Sequence, residues 1–370
     1  MRRVIAQARK ELTQIFRDRL TLALALALPL ALLSLLGTAI SLTVTGMPVA
    51  VQDFDGSPLS RRYVEAIGSS LTFRVVPLAA GRRPPEALDR GEARAVVVIP
   101  RDFGRDLLRG RGAEAQWLVD ASDANTANRV RAVAAVLTQS FVSEARPAPP
   151  AARPAVRAEV RFWYNPGRES RKYIGSGAFA VMLALFPPLL AALAVSREGE
   201  QKTILQVYVS SISAHEYLLG KVLGFMCVAF AEWLLLLFVA YTLFGLRFAG
   251  DVTPLLLSTL FYLFATVSFG VMIGAAIPNQ AAAIQATQLG AFLLSFLLSG
   301  FIFPVSNIPG GVRWISNLVP ARYYIEVARD AFLRGGGWPA VWEAPPVLAA
   351  LGGFFFFVAW LRTRRMQVEA

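Results

Sequence analysis

The chain has 370 residues, of which 55% are apolar and only 17% charged, with a mean hydropathy of +0.50. That balance excludes an ordinary soluble domain, and its excess apolar content lies in long runs. A net charge of +12 with no zinc or recognition-helix motif points to anionic lipid headgroups and argues against nucleic acid as a partner. The single cysteine, Cys227, forbids an intrachain disulfide, and the lone His215 sits in a short polar loop without clustered ligands.

Residues 1–19 predict an amphipathic helix lying along the membrane surface. Val4, Ile5, Ala8, Leu12, Ile15 and Phe16 face one way, and the basic residues the other. The first apolar run, from about Leu20 to Val44, predicts a membrane helix over residues 20–45. A cleaved signal peptide is the rival reading of a basic N-terminus. The run exceeds the typical apolar region of such peptides, and no clean small-residue cleavage site follows it, which favours a retained anchor.

Residues 46–174 have the pattern of an inserted extracytoplasmic α/β domain. Strands are expected at 49–54, 73–76, 95–99 and 115–119, and helices after Ser57-Pro58, near 85–90, at 101–108 and at 124–143. The proline-rich stretch 146–154 predicts a loop, and the aromatic run 161–166 suits the membrane interface. Asp53, Asp55, Asp120 and Asp123 fall at strand ends. Turn and cap chemistry explains them better than catalysis, since no nucleophile-elbow, zinc-protease or cysteine–histidine pattern accompanies them.

Five further runs follow, at 176–195, 217–246, 254–277, 281–303 and 346–361, the last being the shortest. The expected fold is therefore an α-helical polytopic membrane protein with six transmembrane helices, five of them forming a core over residues 175–365. Six spans put the basic N-terminus, the 196–221 loop with Arg197, Lys202 and Lys221 (its coupling part being 196–216), and the basic C-terminal tail (366–370 at its tip) on one side. The positive-inside rule makes that side the cytoplasm. Within the loop, Ile204, Leu205, Tyr208, Val209 and Ile212 recur at helical spacing. Glu232 lies near the middle of a span, where an ionised acid costs about 3 kcal/mol on insertion scales. Pairing between helices and a role in substrate or proton passage both account for it. Asn279, Gln280, Gln285 and Gln288 line the start of the fifth run, where Gln285 and Gln288 share a face suited to a helix interface or a transport path. Residues 303–342 read as an external re-entrant region that dips into the membrane.

The stretch Arg197-Glu198-Gly199-Glu200-Gln201-Lys202-Thr203 through Tyr217-Leu218-Leu219-Gly220-Lys221 resembles the E-x-G-T…L-L-G-K stretch of type-2 ABC transporter permeases. Phe303–Pro309 with Asn317–Tyr323 is similar to their external re-entrant region. Leu118–Thr126 with Trp163–Pro166 is similar to the external domain of the bacterial drug and lipid exporter branch. The chain departs from the pattern where Glu200, Gln201 and Lys202 separate Gly199 from Thr203, and where Ser211-Ile212-Ser213 replaces a frequent proline.

The resemblance implies a permease subunit of an ATP-driven exporter in the bacterial cytoplasmic (inner) membrane. Glu198, Gly199, Thr203, Ile204, Leu205 and Tyr208 would couple it to a separate ABC ATP-binding subunit. This chain has no G-x-x-x-x-G-K-[ST] sequence, so it is not itself the ATPase and binds no cofactor; ATP and Mg belong to the partner subunit. A second permease copy, identical or a paralogue, completes the transporter, and the external domain leaves room for a periplasmic adaptor. An amphiphilic drug, lipid or polymer precursor fits as cargo. A proton-coupled secondary transporter working through Glu232 is the alternative, although no internal repeat supports it. A receptor or assembly factor is the third.

Overall fold

A computed structural model describes residues 1–39, 46–78, 82–110, 113–120, 124–145, 170–203, 212–302 and 304–364. The chain divides into two compact units, Leu42–Arg161 and a second made of Met1–Ser41 with Phe162–Ala370.

The second unit begins with α1 (Arg2–Arg17) and α2 (Arg19–Ala39). Val4, Glu11 and Ile15 bury one stripe of α1. Ile5 and Phe16, expected on that same stripe, are 62% and 63% exposed, because the apolar arc of this helix is wider than the line that packs.

The Leu42–Arg161 unit is built on a four-stranded sheet of order β2-β1-β3-β4. Its elements are β1 (Met47–Asp53), α3 (Pro58–Ser69), β2 (Phe73–Pro77), α4 (Pro84–Asp89), β3 (Ala95–Ile99), α5 (Phe103–Arg109), β4 (Gln116–Val119) and α6 (Ala124–Ala145). β1 runs parallel to β2 and β3, and β4 is antiparallel to β3. β3 reads Ala-Val-Val-Val-Ile with no polar alternation because both its faces are covered. On one face Tyr63, Ile67, Phe103, Leu107, Val130 and Phe141 close the core. Ala87 and Ala93 cover the other. Ser57 caps α3 by accepting from Ser60 N–H, with Pro58 in the first turn.

The carboxylates at strand ends serve these turns. Asp53 accepts from the Asp55 and Gly56 amides at 2.9 and 3.0 Å, Asp55 accepts from Ser57 Oγ and from Gly104 N–H, and Asp120 pairs with Arg94 at 2.7 Å. Asp123 lies outside the described residues, as do 146–154 and 161–166.

The chain then returns to the helical unit with α7 (Ser170–Glu200), α8 (Ala214–Thr242) and α9 (Thr253–Ala276). α10 (Gln280–Thr287) leads through a π-helical turn (Gln288–Leu293) into α11 (Leu294–Leu298). Short helices α12 (Gly310–Ser316), α13 (Pro320–Arg329) and α14 (Trp338–Val341) precede α15 (Ala344–Thr363). Among the described residues, five helical stretches are long and apolar enough to cross a membrane: 171–200, 214–242, 253–276, 280–298 and 344–363. In α2 the apolar stretch picked out by the same measure is Ala25–Leu36.

Several boundaries differ from expectation. α7 starts at Ser170, ahead of the expected core boundary at 175, and continues through Glu200, so the loop expected from 196 begins later. The expected shortest span is longer, because Pro345 stands in the first turn of α15, where its missing N–H costs nothing.

Small residues set the spacing of these helices. A Cβ on Gly270 of α9 would stand 2.1 Å from the Pro188 carbonyl oxygen of α7, and one on Gly352 of α15 would meet Phe264 at 2.4 Å. Two backbones in such contact cannot yield as a side chain does. Gly270→Ala is expected to destabilise the protein by about 1–3 kcal/mol, seen as a lower thermal midpoint in detergent, whereas Gly353→Ala, with nothing within 4 Å, should leave it unchanged.

Candidate functional site

The charged residues of the helical unit converge where α1 crosses the start of α8 and the end of α7. Gly220 and Gly224, one turn apart on α8, make the crossing close. A Cβ on Gly220 would meet Gln7 at 2.5 Å, and one on Gly224 would meet Glu11 at 3.1 Å. Between the glycines stands Lys221, 0% exposed.

Its ammonium is held by two acids from different elements. Lys221 Nζ lies 3.0 Å from Glu11 Oε1 of α1 and 3.0 Å from Glu198 Oε2 of α7. Tyr217, one turn earlier on α8, donates its hydroxyl to Glu198 Oε2 at 2.5 Å. Lys10 Nζ closes the group at 2.6 Å from Glu198 Oε1 and 3.5 Å from Glu11. Gln7 Nε2 adds a bond to Glu11 at 2.8 Å. Two ammonium and two carboxylate groups thus balance in charge; Lys221, Glu11 and Glu198 are buried, and the Lys10 side chain is 46% exposed. Such a cluster holds only if its buried charges are paired, and Lys221 meets an opposite charge at 3.0 Å on both Glu11 and Glu198.

Burial disfavours the Lys10 ammonium, but its bond and attraction to Glu198, with help from Glu11, outweigh that and raise its pKa above the ordinary 10.5. The raised value means the pairing contributes stability in full below about pH 10.5 and loses it as pH climbs through the higher folded value.

Two neighbouring contacts tie in the adjoining segments. Ser213 and Glu216 form a reciprocal capping box at the start of α8, and Arg3 of α1 approaches Glu216 at 3.7 Å. Glu200, at the end of α7, accepts from Gln280 N–H at 3.0 Å and Gln280 Nε2 at 2.8 Å, binding the start of α10. Gly199 packs on Pro278. Thr203 donates to the Glu198 carbonyl at 3.4 Å. Ile204, Leu205 and Tyr208 lie outside the described residues.

Of the polar residues marked in the sequence, Asn279 is spent on capping α10, accepting from Ala282 N–H at 2.9 Å. Gln285 and Gln288 are exposed in the single chain. Glu232 lies on α8 eleven residues beyond Lys221 and is 1% exposed; neither of its oxygens has a hydrogen-bond partner among the described residues.

Sequence reasoning singled out Glu198 but missed Glu11, Lys221 and Tyr217. A signal was present for the first two. Glu11 is the one acid in α1 and falls seven residues after Val4 and four before Ile15, on the helix's buried stripe. The Gly220-x-x-x-Gly224 spacing marks a close helix crossing, with a lysine inside it.

Long apolar helices, a helix locked across their ends and a separate α/β unit define a polytopic membrane protein of the permease class. The sequence model described as ABC-2 family transporter protein matches residues 19–362, and the chain belongs to this family. It is similar to the probable multidrug ABC transporter permease YbhS of Escherichia coli (strain K12), at 29% identity over 98% of this chain and 97% of that protein. Similarity extends to the inner membrane transport permease YhhJ of the same organism, at 29% identity over 86% of this chain and 85% of that protein. The linearmycin resistance permease protein LnrN of Bacillus subtilis (strain 168) matches at 21% identity over 90% of this chain and 92% of that protein. The chain is a permease subunit of an ABC exporter, a membrane protein that works with an ATP-binding subunit.

Replacing Lys221 with Met leaves Glu11 and Glu198 without their buried cation, and only the half-exposed Lys10 still reaches both. Breaking a buried pair in this way typically costs about 3–5 kcal/mol. The expected result is faster hydrogen exchange across residues 2–17 and a lower thermal midpoint. Glu11→Gln added to Lys221→Met should recover part of the loss, and a double variant no better than the single would refute the shared role. Raising the pH above 10.5 should weaken the native protein more than a Lys10→Met variant in the same melting assay.

Proposed function

We propose that this permease has six spans, α2 being the first, with both termini in the cytoplasm and the α/β unit outside. α2 has 21 residues, enough to cross about 30 Å of hydrocarbon. An even count leaves the basic N-terminus, the loop after Arg197 and the basic end of α15 on one side, as the positive-inside rule favours. α1 then lies along the cytoplasmic face with exposed Ile5 and Phe16 against lipid. Residues 303–342 form an external region of short helices that enters the outer half of the membrane. The membrane is the bacterial cytoplasmic (inner) membrane.

In this reading the loop between α7 and α8 docks on the ATP-binding subunit, which alone carries ATP and Mg, through Ile204, Leu205 and Tyr208. Glu198, Gly199 and Thr203 anchor the loop's start. The observation that carries the assignment is the Lys221 cluster. A loop can transmit force only if its ends are fixed, and Glu198 fixes one end to α8 and to α1 at once. ATP-driven movement of the loop therefore reaches three helices together. Gln285 and Gln288, exposed on the least buried of the five spans, suit a contact with a second permease copy. The cargo is an amphiphile leaving the cytoplasm, and the α/β unit offers a surface for a periplasmic adaptor.

Two experiments test this. In a Cys227→Ser background, cysteines placed at Arg90 and Arg364 should differ in intact cells. A membrane-impermeant maleimide is expected to label position 90 and not 364, and the reverse result would invert the topology. In the reconstituted complex, Glu198→Gln and Tyr208→Ala should each lower cargo-stimulated ATP hydrolysis and export at least severalfold. Normal values for both activities would remove the coupling assignment.

A further inference from the structure

The end of α8 away from the Lys221 junction carries an apolar groove. α8 contributes Leu234, Phe238 and Tyr241, and the turn after it contributes Leu246 and Phe248. Phe332, from the π-helical turn Asp330–Arg334 that continues α13, completes the lining of a cavity of about 340 Å³. Backbone contacts hold these walls. The Ala249 amide donates to the Ala331 carbonyl at 2.8 Å, and a Cβ on Gly250 would stand 2.9 Å from the Gly335 carbonyl oxygen. Phe248 stacks on Phe332 with ring centroids 5.4 Å apart, whereas Phe238 is 66% exposed. The groove is thus walled by packed backbone and open on the α8 side.

A cation stands at its mouth. The guanidinium carbon of Arg247 lies 3.8 Å from the centre of the Tyr241 ring, and no carboxylate or hydrogen-bond acceptor among the described residues meets it. The acids of the adjoining elements are engaged elsewhere. Asp251 accepts from the Thr253 amide and hydroxyl at 2.9 and 2.8 Å, and Asp330 accepts from the Gly336 and Gly337 amides at 3.1 and 2.8 Å. Glu326 pairs with Arg334 at 3.1 Å. A guanidinium held over a ring still has its in-plane fork of N–H groups free, and that fork matches a phosphate. The level suits a headgroup as well. Trp338 is exposed and donates to Thr253 Oγ1 at 2.8 Å beside the start of α9, and exposed tryptophans mark the membrane–water boundary. Leu234 precedes Tyr241 by two helical turns, so the groove runs about 10 Å inwards from the arginine.

We propose that this groove holds one anionic phospholipid of the surrounding bilayer, of the phosphatidylglycerol class, with its phosphate on Arg247 and an acyl chain running along α8 past Phe238 to Leu234. Apolar residues on any lipid-facing helix meet passing chains. A concavity with a cation at its mouth instead fixes one lipid in one orientation, because chain and headgroup are bound together. A free phosphate has no chain to fill the groove, and a zwitterionic lipid brings a cation of its own beside the arginine. The bound lipid ties the end of α8 to the turn that follows α13. Only its leaflet rests on the topology proposed above, which makes it the outer one.

The test uses the full complex with its ATP-binding subunit, purified in neutral detergent and titrated with phosphatidylglycerol or phosphatidylcholine under native mass spectrometry. One phosphatidylglycerol per permease copy is expected to bind more tightly than phosphatidylcholine. Arg247→Gln should weaken phosphatidylglycerol about fivefold and leave phosphatidylcholine unchanged, while Arg247→Lys keeps most of the preference. Leu234→Trp, which fills the groove, should weaken both lipids alike. An unchanged preference in Arg247→Gln, or undiminished binding in Leu234→Trp, overturns the proposal. So does a disulfide between cysteines placed at Phe238 in two permease copies of a Cys227→Ser background, since a protein face would then cover the groove. Sealed proteoliposomes with the ATP-binding subunits inside identify the leaflet. Phosphatidylglycerol exchanged into their outer leaflet alone should raise the thermal midpoint of the native complex and not that of Arg247→Gln. If only lipid in the leaflet beside the ATP-binding subunit does so, the lipid site stands and the proposed topology fails.

Discussion

Hydrocarbon offers no hydrogen bonds, so a charge carried to the edge of a membrane helix must find its counter-charge within the protein. Lys221 meets that requirement with Glu11 from one side and Glu198 from the other, while the glycines flanking it on α8 let α1 come close enough to deliver its acid. The position of α1, the entry angle of α8 and the end of α7 all follow from that one ammonium. The capping box at Ser213 and the Glu200–Gln280 bonds extend the same logic by pairing the remaining polar groups of the junction.

The helical core solves its packing differently. Where α7 meets α9, and α9 meets α15, glycines replace side chains so that backbones can touch. The Thr259, Tyr262 and Tyr324 hydroxyls and the Trp233 indole are paired inside the core with each other and with main-chain carbonyls. Close packing of this kind transmits displacement as rigid movement, because interfaces in contact at backbone distance cannot deform gradually. A permease driven from one end needs that property.

Much of the fold could be read from the sequence because its signals are local. Of the six apolar runs, five match membrane-length helices among the described residues, and the alternation of strands and helices marked the sheet, including the both-faces-buried run of β3. Boundaries shifted where local rules have exceptions, as with Pro345 in the first turn of α15. The junction was harder, because its partners lie up to 210 residues apart and only long-range contact brings them together. Glu198 drew notice through its motif. Lys221 read as a charge of the 196–221 loop, although it is a buried helix residue, and Glu11 drew no notice among the basic residues of its helix. The contribution of Tyr217 depends on a side-chain direction that spacing alone does not set.

The neutrality of the junction also shapes how such a protein can change over evolutionary time. Lys221, Glu11 and Glu198 come from three separate segments, yet altering any one alone upsets the balance of charge among buried groups. Drift across that barrier requires paired substitutions, for instance a neutral pair in place of Glu11 and Lys221. Descendants of this sequence should therefore carry the junction either whole or wholly replaced, with intermediates rare. The exposed residues of α1, such as Ile5 and Phe16, are free to vary one at a time.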